Sequence, residues 1–176
     1  MTYQKNILAI SGSTRKSSTN LNLIKAIIGL TADRFAITIY DGLMQLPHFN
    51  PDDDIEPAPE AVATFRKLLR EADGILICTP EYAMGVPGTL KNAIDWTVSS
   101  AEFSHKPTAL ITASSVGEKG HASLLETLTV IEARMTEETK LLIPFAKTKI
   151  NTDCKITDGE TLVRVKTLVE VLDGLI

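Results

Sequence analysis

Residues 11–20, SGSTRKSSTN, hold six hydroxyl side chains, two cations and one glycine between an apolar run and a helical pattern. A helix that begins near Ser18 presents unpaired backbone N–H groups and the positive end of its dipole. The hydroxyls add further donors, and Arg15 can add a charge-assisted hydrogen bond. Together these groups can surround the exposed oxygens of a phosphate monoester. The segment therefore predicts a site for a terminal phosphate, with candidate residues Ser11, Ser13, Arg15, Ser18, Thr19 and Asn20.

A simpler interpretation of this segment is that one of Ser17, Ser18 and Thr19 caps the helix and the rest forms a polar turn. One cap accounts for a single hydroxyl, whereas the segment holds a cluster of them beside an arginine. Two common nucleotide-binding patterns are absent from the sequence, the G-x-G-x-x-G of dinucleotide-binding folds and the G-x-x-x-x-G-K-[ST] of P-loop NTPases. We therefore favour a site for a phosphate monoester.

A second candidate segment, TPEYAMGVPGTLKNAIDW, covers residues 79–96. Tyr82 and the backbone of residues 81–86 can flank a planar ring, with peptide groups facing the polar edge of a heterocycle. Glu81 is open to two interpretations, a general base or an anchor that holds the loop through backbone hydrogen bonds, and we favour the anchor. Trp96, on the helix that follows, is interpreted as a core or subunit-interface residue.

The segment ASSVGEKGH, residues 113–121, offers serines and glycines that permit close backbone approach to a ligand. His121 has no nearby Cys, Asp or Ser in a triad pattern, and we interpret it as a surface residue at a helix N-terminus. No G-x-S-x-G nucleophile elbow occurs in the chain, which disfavours an α/β-hydrolase. The segment predicts a further wall of a binding site rather than a catalytic centre.

The elements around these segments alternate between strand and helix. Five short apolar runs are predicted strands: Ile7–Ile10, Phe35–Tyr40, Gly74–Thr79, Thr108–Ala113 and Leu142–Lys147. Five runs with apolar residues at helical spacing are predicted helices: Asn20–Leu30, Pro59–Glu71, Gly88–Ser99, Leu124–Met135 and Glu160–Leu172. This alternation predicts an α/β fold in which helices cover both faces of a parallel sheet, as a three-layer sandwich. In such a fold the loops after strands 1 and 3 share one crevice.

Residues 41–59 break the alternation, because they contain four prolines and five acidic residues without a periodic apolar pattern. We predict a long loop here, of the kind that is usually functional or mobile. Within it, Asp52, Asp53 and Asp54 are interpreted as a solvated surface run, since the sequence shows no converging ligands for a metal ion.

Length and composition limit the class of protein. The 176 residues fit a single domain, residues 1–176, and the net charge of −4 with a pI near 5.4 disfavours nucleic-acid binding. The start, MTYQKNILAIS, has too short an apolar core for a signal peptide, and no run reaches transmembrane length. Cys78 is predicted to be a small buried hydrophobe, and no disulfide framework is suggested. We therefore expect a soluble, cytoplasmic protein with neither a nucleic-acid nor a membrane partner.

Residues 12–20, GSTRKSSTN, resemble the G-S-x-R-x-x-S-x-N phosphate loop of the NADPH-dependent FMN reductase family. Residues 80–96, PEYAMGVPGTLKNAIDW, resemble that family's P-E-Y-N-x-x-[IV]-P-G-x-L-K-N-A-[IL]-D-W signature. The resemblance implies a flavodoxin-like three-layer α/β/α sandwich with a five-stranded parallel sheet in the order 2-1-3-4-5. It also implies tightly but non-covalently bound FMN.

The same resemblance assigns roles position by position. It implies that the FMN phosphate binds to Ser13, Arg15, Ser18 and Asn20. It implies that the isoalloxazine ring is lined by Pro80, Glu81, Tyr82, Ala83, Met84 and Gly85, and approached on its other edge by Ser114, Ser115 and Gly117. One position departs from the family, which often has Asn where this chain has Ala83. We therefore expect the ring contacts to depend more on the backbone and on Met84.

The activity that the resemblance implies is hydride transfer from NADPH or NADH through FMN to a small acceptor, such as a quinone, azo compound, free flavin or metal oxyanion. The flavin carries this chemistry, so no catalytic protein residue is implied. Relatives form dimers or tetramers, and we expect a homodimer or homotetramer with residues 41–59 and 88–99 as candidate interface elements. Two alternatives remain open, a flavodoxin-type electron-transfer carrier and a flavin-free mononucleotide-binding or regulatory module.

Overall fold

Five short apolar segments form a parallel sheet in the computed structural model, which describes residues 4–176. The strands are β1 (Lys5–Ser11), β2 (Phe35–Tyr40), β3 (Gly74–Thr79), β4 (Thr108–Ala113) and β5 (Lys140–Ile143). Their order is β2-β1-β3-β4-β5, and each neighbouring pair is parallel. All residues of β3 and β4 are buried, because helices cover both faces of the sheet. The predicted fold class and strand order are confirmed.

Within residues 4–176, six α-helices surround the sheet: α1 (Thr19–Thr31), α2 (Glu60–Glu71), α3 (Gly88–Asp95), α4 (Glu118–Val130), α5 (Ala146–Lys149) and α6 (Gly159–Leu175). On one face, α1 and α6 bury Leu23 and Val165 in an apolar core. On the other, α2, α3 and α4 contribute Phe65, Leu90 and Leu124 to a second core. The sheet is therefore the middle layer of a three-layer α/β/α sandwich.

None of the helices formed by residues 4–176 combines the length and the apolar character that crossing a bilayer requires. The first three residues of the N-terminal segment MTYQKNILAIS, interpreted above as too short for a signal peptide, lie outside the described residues.

The last strand differs from its predicted position. The apolar pattern predicts a strand over Leu142–Lys147, but β5 ends at Ile143. Pro144 has no N–H to continue the ladder, and Phe145 has a φ of 54°, which turns the chain into α5. The apolar run thus contains the end of a strand, a sharp turn and the start of a helix.

Two helices also differ from the predicted bounds. The predicted helix Gly88–Ser99 is α-helical only to Asp95, after which the chain continues in turns. The predicted helix Leu124–Met135 starts and ends later than α4. The first six residues of α4, EKGHAS, do not show apolar residues at helical spacing. The chain enters this helix through Gly117, whose φ of 97° favours glycine. Apolar spacing alone therefore placed this helix about one to two turns too late.

The loop of residues 41–59 is held against the sandwich by a buried ion pair. Asp54 Oδ1 lies 2.6 Å from Nη2 of Arg66 on α2, and the Arg66 and Asp54 side chains are 6% and 9% exposed. Arg66 Nε also donates to the carbonyl oxygen of Trp96 at 2.8 Å. Trp96 is fully buried, and its Nε1 donates to the carbonyl oxygen of Pro47 at 2.9 Å. The loop is therefore fixed to α2 and to the end of α3.

This ion pair corrects part of the interpretation of the acidic run. Asp52 and Asp53 are exposed, as expected, but Asp54 is not solvated. Hydrogen bonds from Ser99 and Arg66 lower the pKa of the Asp54 carboxyl. The partner arginine lies on the next helix, so the local sequence gives no sign of the pairing.

The loops after β1 and β3 approach each other at Gly12. Its backbone N–H donates to the carbonyl oxygen of Cys78 at 2.8 Å, and a Cβ at Gly12 would overlap the Thr79 side chain. The one glycine of segment 11–20 is therefore needed for packing between loops. Cys78 is fully buried, and burial raises the pKa of its thiol, which confirms the prediction of a small buried hydrophobe.

A two-residue turn follows β3 at the same edge of the sheet. Backbone hydrogen bonds join Tyr82 and Gly85 in both directions, at 3.0 and 2.9 Å. Between them, Ala83 and Met84 have φ angles of 49° and 61°. Positive φ at both central residues is the pattern of a type I′ turn, which favours Asn and Gly. Ala83 has a Cβ and no side chain that can hydrogen-bond locally, so its conformation is strained.

We expect Asp54→Asn to lower the free energy of unfolding at pH 7 by about 1.5–3 kcal/mol, the range for a hydrogen bond between charged groups. The pKa of Asp54 is lowered in the folded state, so its stabilising effect is present above the unfolded pKa of about 3.9. The effect is lost as the pH falls through the lower folded-state pKa. Urea denaturation of wild type and variant at neutral and acidic pH measures this difference.

The matched control for this experiment is Asp52→Asn, since Asp52 belongs to the same acidic run and is exposed. It should change the free energy of unfolding by no more than about 0.5 kcal/mol. An Asp54→Asn variant that is as stable at pH 7 as Asp52→Asn would contradict the role of the ion pair.

Replacing Ala83 with Asn or Gly should raise the free energy of unfolding by about 0.5–1 kcal/mol, because both residues tolerate positive φ. The gain for Gly is limited by the greater entropy that it gives the unfolded chain. Ala63→Gly, at an exposed position inside α2, is the control and should destabilise by about 1 kcal/mol. Chemical denaturation compares the three variants, and a loss of stability with both substitutions at position 83 would refute strain in the turn.

Candidate functional site

A cavity of about 390 Å³ lies at the carboxyl edge of the sheet. Its walls come from the loops that follow β1, β3, β4 and β5. The junctions selected in the sequence therefore face one crevice, as expected for a parallel sheet. Ten of the fifteen predicted site residues line this cavity: Ser13, Arg15, Ser18, Thr19, Asn20, Pro80, Glu81, Tyr82, Ser114 and Ser115.

The first wall ends at the N-terminus of α1, where Ser18 is the N-cap. Its backbone is extended, with φ −102° and ψ 127°, and its Oγ accepts a hydrogen bond from the Leu21 N–H at 3.4 Å. Capping occupies an oxygen lone pair and leaves the Ser18 O–H able to donate to a ligand. Arg15 is exposed and forms no ion pair with any part of residues 4–176. This wall thus offers backbone donors, hydroxyl donors and a cation.

Asn20 bridges the first wall to the end of β4. Its side chain is buried, and Nδ2 donates to the carbonyl oxygen of Ala113 at 3.1 Å. Oδ1 is buried and lacks a partner in the part of the chain that the structure describes. A ligand hydroxyl can donate to this oxygen, whereas ionised phosphate oxygens accept hydrogen bonds and cannot satisfy it. What Asn20 can offer to a phosphate in this geometry is its backbone N–H, in the first turn of α1.

Glu81 anchors the loop after β3 to the start of α4. Its Oε2 accepts a hydrogen bond of 2.6 Å from the N–H of Gly120, the third residue of α4. Its own backbone N–H donates to Ser114 Oγ at 3.2 Å. A Cβ at Gly120 would lie only 3.1 Å from the Gly85 carbonyl oxygen and from Glu81 Cγ, so glycine permits this approach. The carboxylate is bound at the positive end of a helix, which favours the anchor over the general base.

A further wall, outside the predicted set, comes from residues 144–149, which include α5 and are called here the loop after β5. It contributes Phe145, Ala146, Lys147 and Thr148, and Ala113 at the end of β4 is a further lining residue outside the prediction. The apolar pattern predicts a strand over Leu142–Lys147, which includes most of this segment. The order of the elements could have revealed this wall, because the loop follows the carboxyl end of a parallel strand, where ligands bind.

Ser11 and Gly117 belong to the predicted set but do not line this cavity. Ser11 is buried, and its hydroxyl donates to the Ser13 carbonyl oxygen at 3.2 Å. A Cβ at Gly117 would crowd Leu142 and Thr112, so this glycine allows close packing between β4, β5 and α4. Both residues shape the loops that carry the lining residues.

The tip of the turn after β3 also lies outside the lining. Ala83, Met84 and Gly85 were assigned to ring contacts, but Met84 is 75% exposed and none of the three lines the cavity. The tight turn between Tyr82 and Gly85 carries its two central residues beyond the cavity wall. Met84 therefore does not line the cavity, and its contact with the ring stays a prediction.

His121 lies in the first turn of α4, as expected, but its side chain is only partly exposed. Its Nδ1 lies 2.8 Å from Thr112 Oγ1 at the end of β4. Burial, and to a lesser extent the nearby charge of Lys140, lowers the pKa of His121. Among residues 4–176, no three His, Cys, Asp or Glu side chains converge as a metal-binding group.

Comparison with known proteins agrees with the resemblance. A model of a family described as NADPH-dependent FMN reductase matches residues 5–147. A NAD(P)H-dependent FMN reductase of Pseudomonas aeruginosa is 34% identical over 160 residues, which cover 88% of this chain and 85% of that protein. A quinone reductase of Pseudomonas putida is 36% identical over 117 residues, which cover 65% of this chain and 62% of that protein.

The solved structures include a similar flavoenzyme, a NAD(P)H:(acceptor) oxidoreductase from Paracoccus denitrificans. It superposes with a TM-score of 0.85 at 28% identity, over 97% of this chain and 96% of that chain. The family match spans both motif segments and all five strands. This chain therefore belongs to the NADPH-dependent FMN reductase family.

Proposed function

We propose that the chain acts as one domain, residues 1–176, that binds FMN in the cavity described above and reduces a quinone at the expense of NADPH or NADH. The observation that carries the proposal is a cavity of about 390 Å³ whose lining combines phosphate donors with a surface for a planar ring. Binding sites for small molecules and cofactors have volumes of about 300–1,000 Å³. The quinone reductase of Pseudomonas putida supports this choice of acceptor.

The polar groups of the lining fit the FMN phosphate. Ser13, Ser18 and Thr19 bring hydroxyls, Arg15 brings a cation, and the N-terminus of α1 brings backbone N–H groups. Phosphate oxygens accept hydrogen bonds from all of these donors. The buried Asn20 Oδ1, which lacks a donor, fits a neighbouring ligand hydroxyl such as those of the ribityl chain.

Other residues of the lining fit a flat aromatic ring. Pro80 and Tyr82 line the cavity from the loop after β3, and Phe145 lines it from the loop after β5. Tyr82 and Phe145 remain 49% and 64% exposed, so their rings are accessible to a ligand. Aromatic side chains bind planar rings by stacking or edge contacts.

FMN, when bound, supplies the ability to accept a hydride and to return electrons to a second substrate. The protein supplies position, because hydride transfer needs reacting atoms within about 3–3.5 Å of each other. Glu81 and Ser114 hold the β3 and β4 walls together by a hydrogen bond and so fix the width of the cavity. The anchored Glu81 carboxylate does not act as a proton acceptor in this proposal.

We also propose that the protein is a homodimer or homotetramer and that it is located in the cytoplasm. Ile55 and Val98 are 65% and 55% exposed on the two segments expected at a subunit interface, which supports a homodimer or homotetramer. Cys78 and Cys154 are free, which is consistent with the proposed cytoplasmic location.

The FMN-loaded protein should oxidise NADPH in the presence of a quinone with a kcat in the usual range of about 1–10³ s⁻¹. The measurement is the loss of NADPH absorbance, repeated with NADH and with azo-compound and free-flavin acceptors. Protein stripped of FMN is the control and should be inactive. No turnover with any of these acceptors would contradict the reductase and favour the flavodoxin-type carrier, whereas a colourless protein that takes up no FMN would favour the flavin-free module.

Glu81→Gln should reduce turnover by less than about ten-fold, because the Gln side-chain oxygen can still accept the hydrogen bond from Gly120. Glu81→Ala should reduce both turnover and thermal stability more strongly, since it leaves the N-terminus of α4 without this acceptor. Steady-state kinetics and thermal unfolding of the two variants measure the effects. A general base would behave differently, because Glu81→Gln alone would then lower kcat by about 10²–10⁴-fold.

A further inference from the structure

The loop after β5 is held at the cavity by hydrogen bonds to the loop after β4. The N–H groups of Phe145 and Ala146 donate to the carbonyl oxygens of Ser115 and Ser114, at 3.1 and 3.0 Å. These bonds join the two loops beyond the last residue of β5. The loop is therefore a fixed wall of the cavity rather than a surface appendage.

The same segment of the chain also reaches the first turn of α1. Asn22 Nδ2 donates to the carbonyl oxygen of Asn151 at 3.2 Å, just beyond α5. Asn20, two residues earlier in α1, donates to the end of β4. The loop after β5 is thereby placed beside the helix N-terminus that presents donors to a phosphate.

Phe145 turns this loop so that the next residues meet the cavity. It has φ 54° and ψ 37°, in the left-handed region that bulky residues rarely adopt. Its carbonyl oxygen accepts hydrogen bonds from the Thr148 N–H at 3.0 Å and the Thr148 hydroxyl at 2.9 Å, which hold the turn. Lys147 lies inside this turn and lines the cavity with an exposed side chain.

The lining of the cavity has a net charge of +1, from two cations and one carboxylate. Arg15 and Lys147 are the two cations among its lining residues, and neither forms an ion pair anywhere in the described part of the chain. Glu81 is the one carboxylate of the lining, and its Oε2 is bound by the Gly120 N–H. A phosphate monoester carries about −1.5 to −2 charges at pH 7, which two cations match and one does not.

We propose that Lys147, from the loop after β5, binds the FMN phosphate together with Arg15, from the loop after β1. The inference rests on the proposed FMN site. It adds Lys147, which lies outside both sequence motifs, as a second cation at the phosphate. Lys147 acts as a point charge with rotatable donors, and Arg15 as a fixed planar donor, so the two can approach the phosphate from different walls.

The test compares FMN with riboflavin, which has the same ring and ribityl chain but no phosphate. Dissociation constants are measured by quenching of flavin fluorescence on apoprotein, for wild type, Lys147→Gln, Arg15→Gln and the control Lys149→Gln. Lys149 lies on the same short helix but does not line the cavity. Lys147→Gln and Arg15→Gln should each weaken FMN binding roughly ten-fold or more, as expected for a lost charge-assisted hydrogen bond, and change riboflavin binding less than two-fold. Lys149→Gln should bind both flavins like the wild type.

Three results would overturn the assignment of Lys147. If only Arg15→Gln loses FMN affinity, the phosphate is bound from the β1 wall alone. If Lys147→Gln weakens FMN and riboflavin equally, Lys147 shapes the cavity instead of binding phosphate. If Lys147→Gln keeps its FMN affinity but raises the KM for NADPH and not for NADH, the lysine binds the 2′-phosphate of the dinucleotide. Wild-type protein that binds neither flavin would instead refute the proposed function itself, and this inference with it.

Discussion

The position of β1 between β2 and β3 is the constraint on which the rest of the structure depends. Because all strands run parallel, every strand ends at the same edge of the sheet, and the loops that follow must leave from that edge. From β1 the chain continues to β2 on one side of the sheet, and from β3 it continues to β4 on the other side. The loops after β1 and β3 therefore lead to helices on opposite faces and leave a crevice between them. A ligand site at this place requires no special motif. The motifs decide which ligand fits it.

Direct bonds between the loops convert this crevice into a cavity of fixed shape. Gly12 allows the loop after β1 to rest on the end of β3, and Gly120 allows the Glu81 carboxylate to reach the N-terminus of α4. Phe145 ties the loop after β5 to the loop after β4. These bonds join the loops to a neighbouring strand, helix or loop, so several contacts together position the lining side chains. Such preorganisation is what a cofactor enzyme of this family requires from its protein.

The sequence predicted the parts of this arrangement that repeat a local pattern. The bounds of β2, β3 and β4 agree with the structure because buried parallel strands are continuous apolar runs. The strand after α4 was misplaced because LLIPF is equally apolar on both sides of Pro144. The pairing of Asp54 with Arg66 and the presence of Lys147 in the cavity were missed for another reason. They depend on contacts between distant segments, and no local spacing encodes these contacts.

Three residues in the loops at or near the cavity have a strained backbone conformation. Ala83, Met84 and Phe145 all have left-handed backbone angles, which cost about 1–2 kcal/mol each in a protein stabilised by only about 5–15 kcal/mol. Where the chain needs positive φ at the start of α4, it uses Gly117, so glycine was available as the unstrained choice. A glycine at position 145 would relieve the strain but remove the aromatic ring that lines the cavity. A left-handed φ also occurs at Ala101, His105, Glu132 and Cys154, which do not line the cavity. The position of the Phe145 ring in the cavity wall, and not the strain alone, therefore connects this residue with the site.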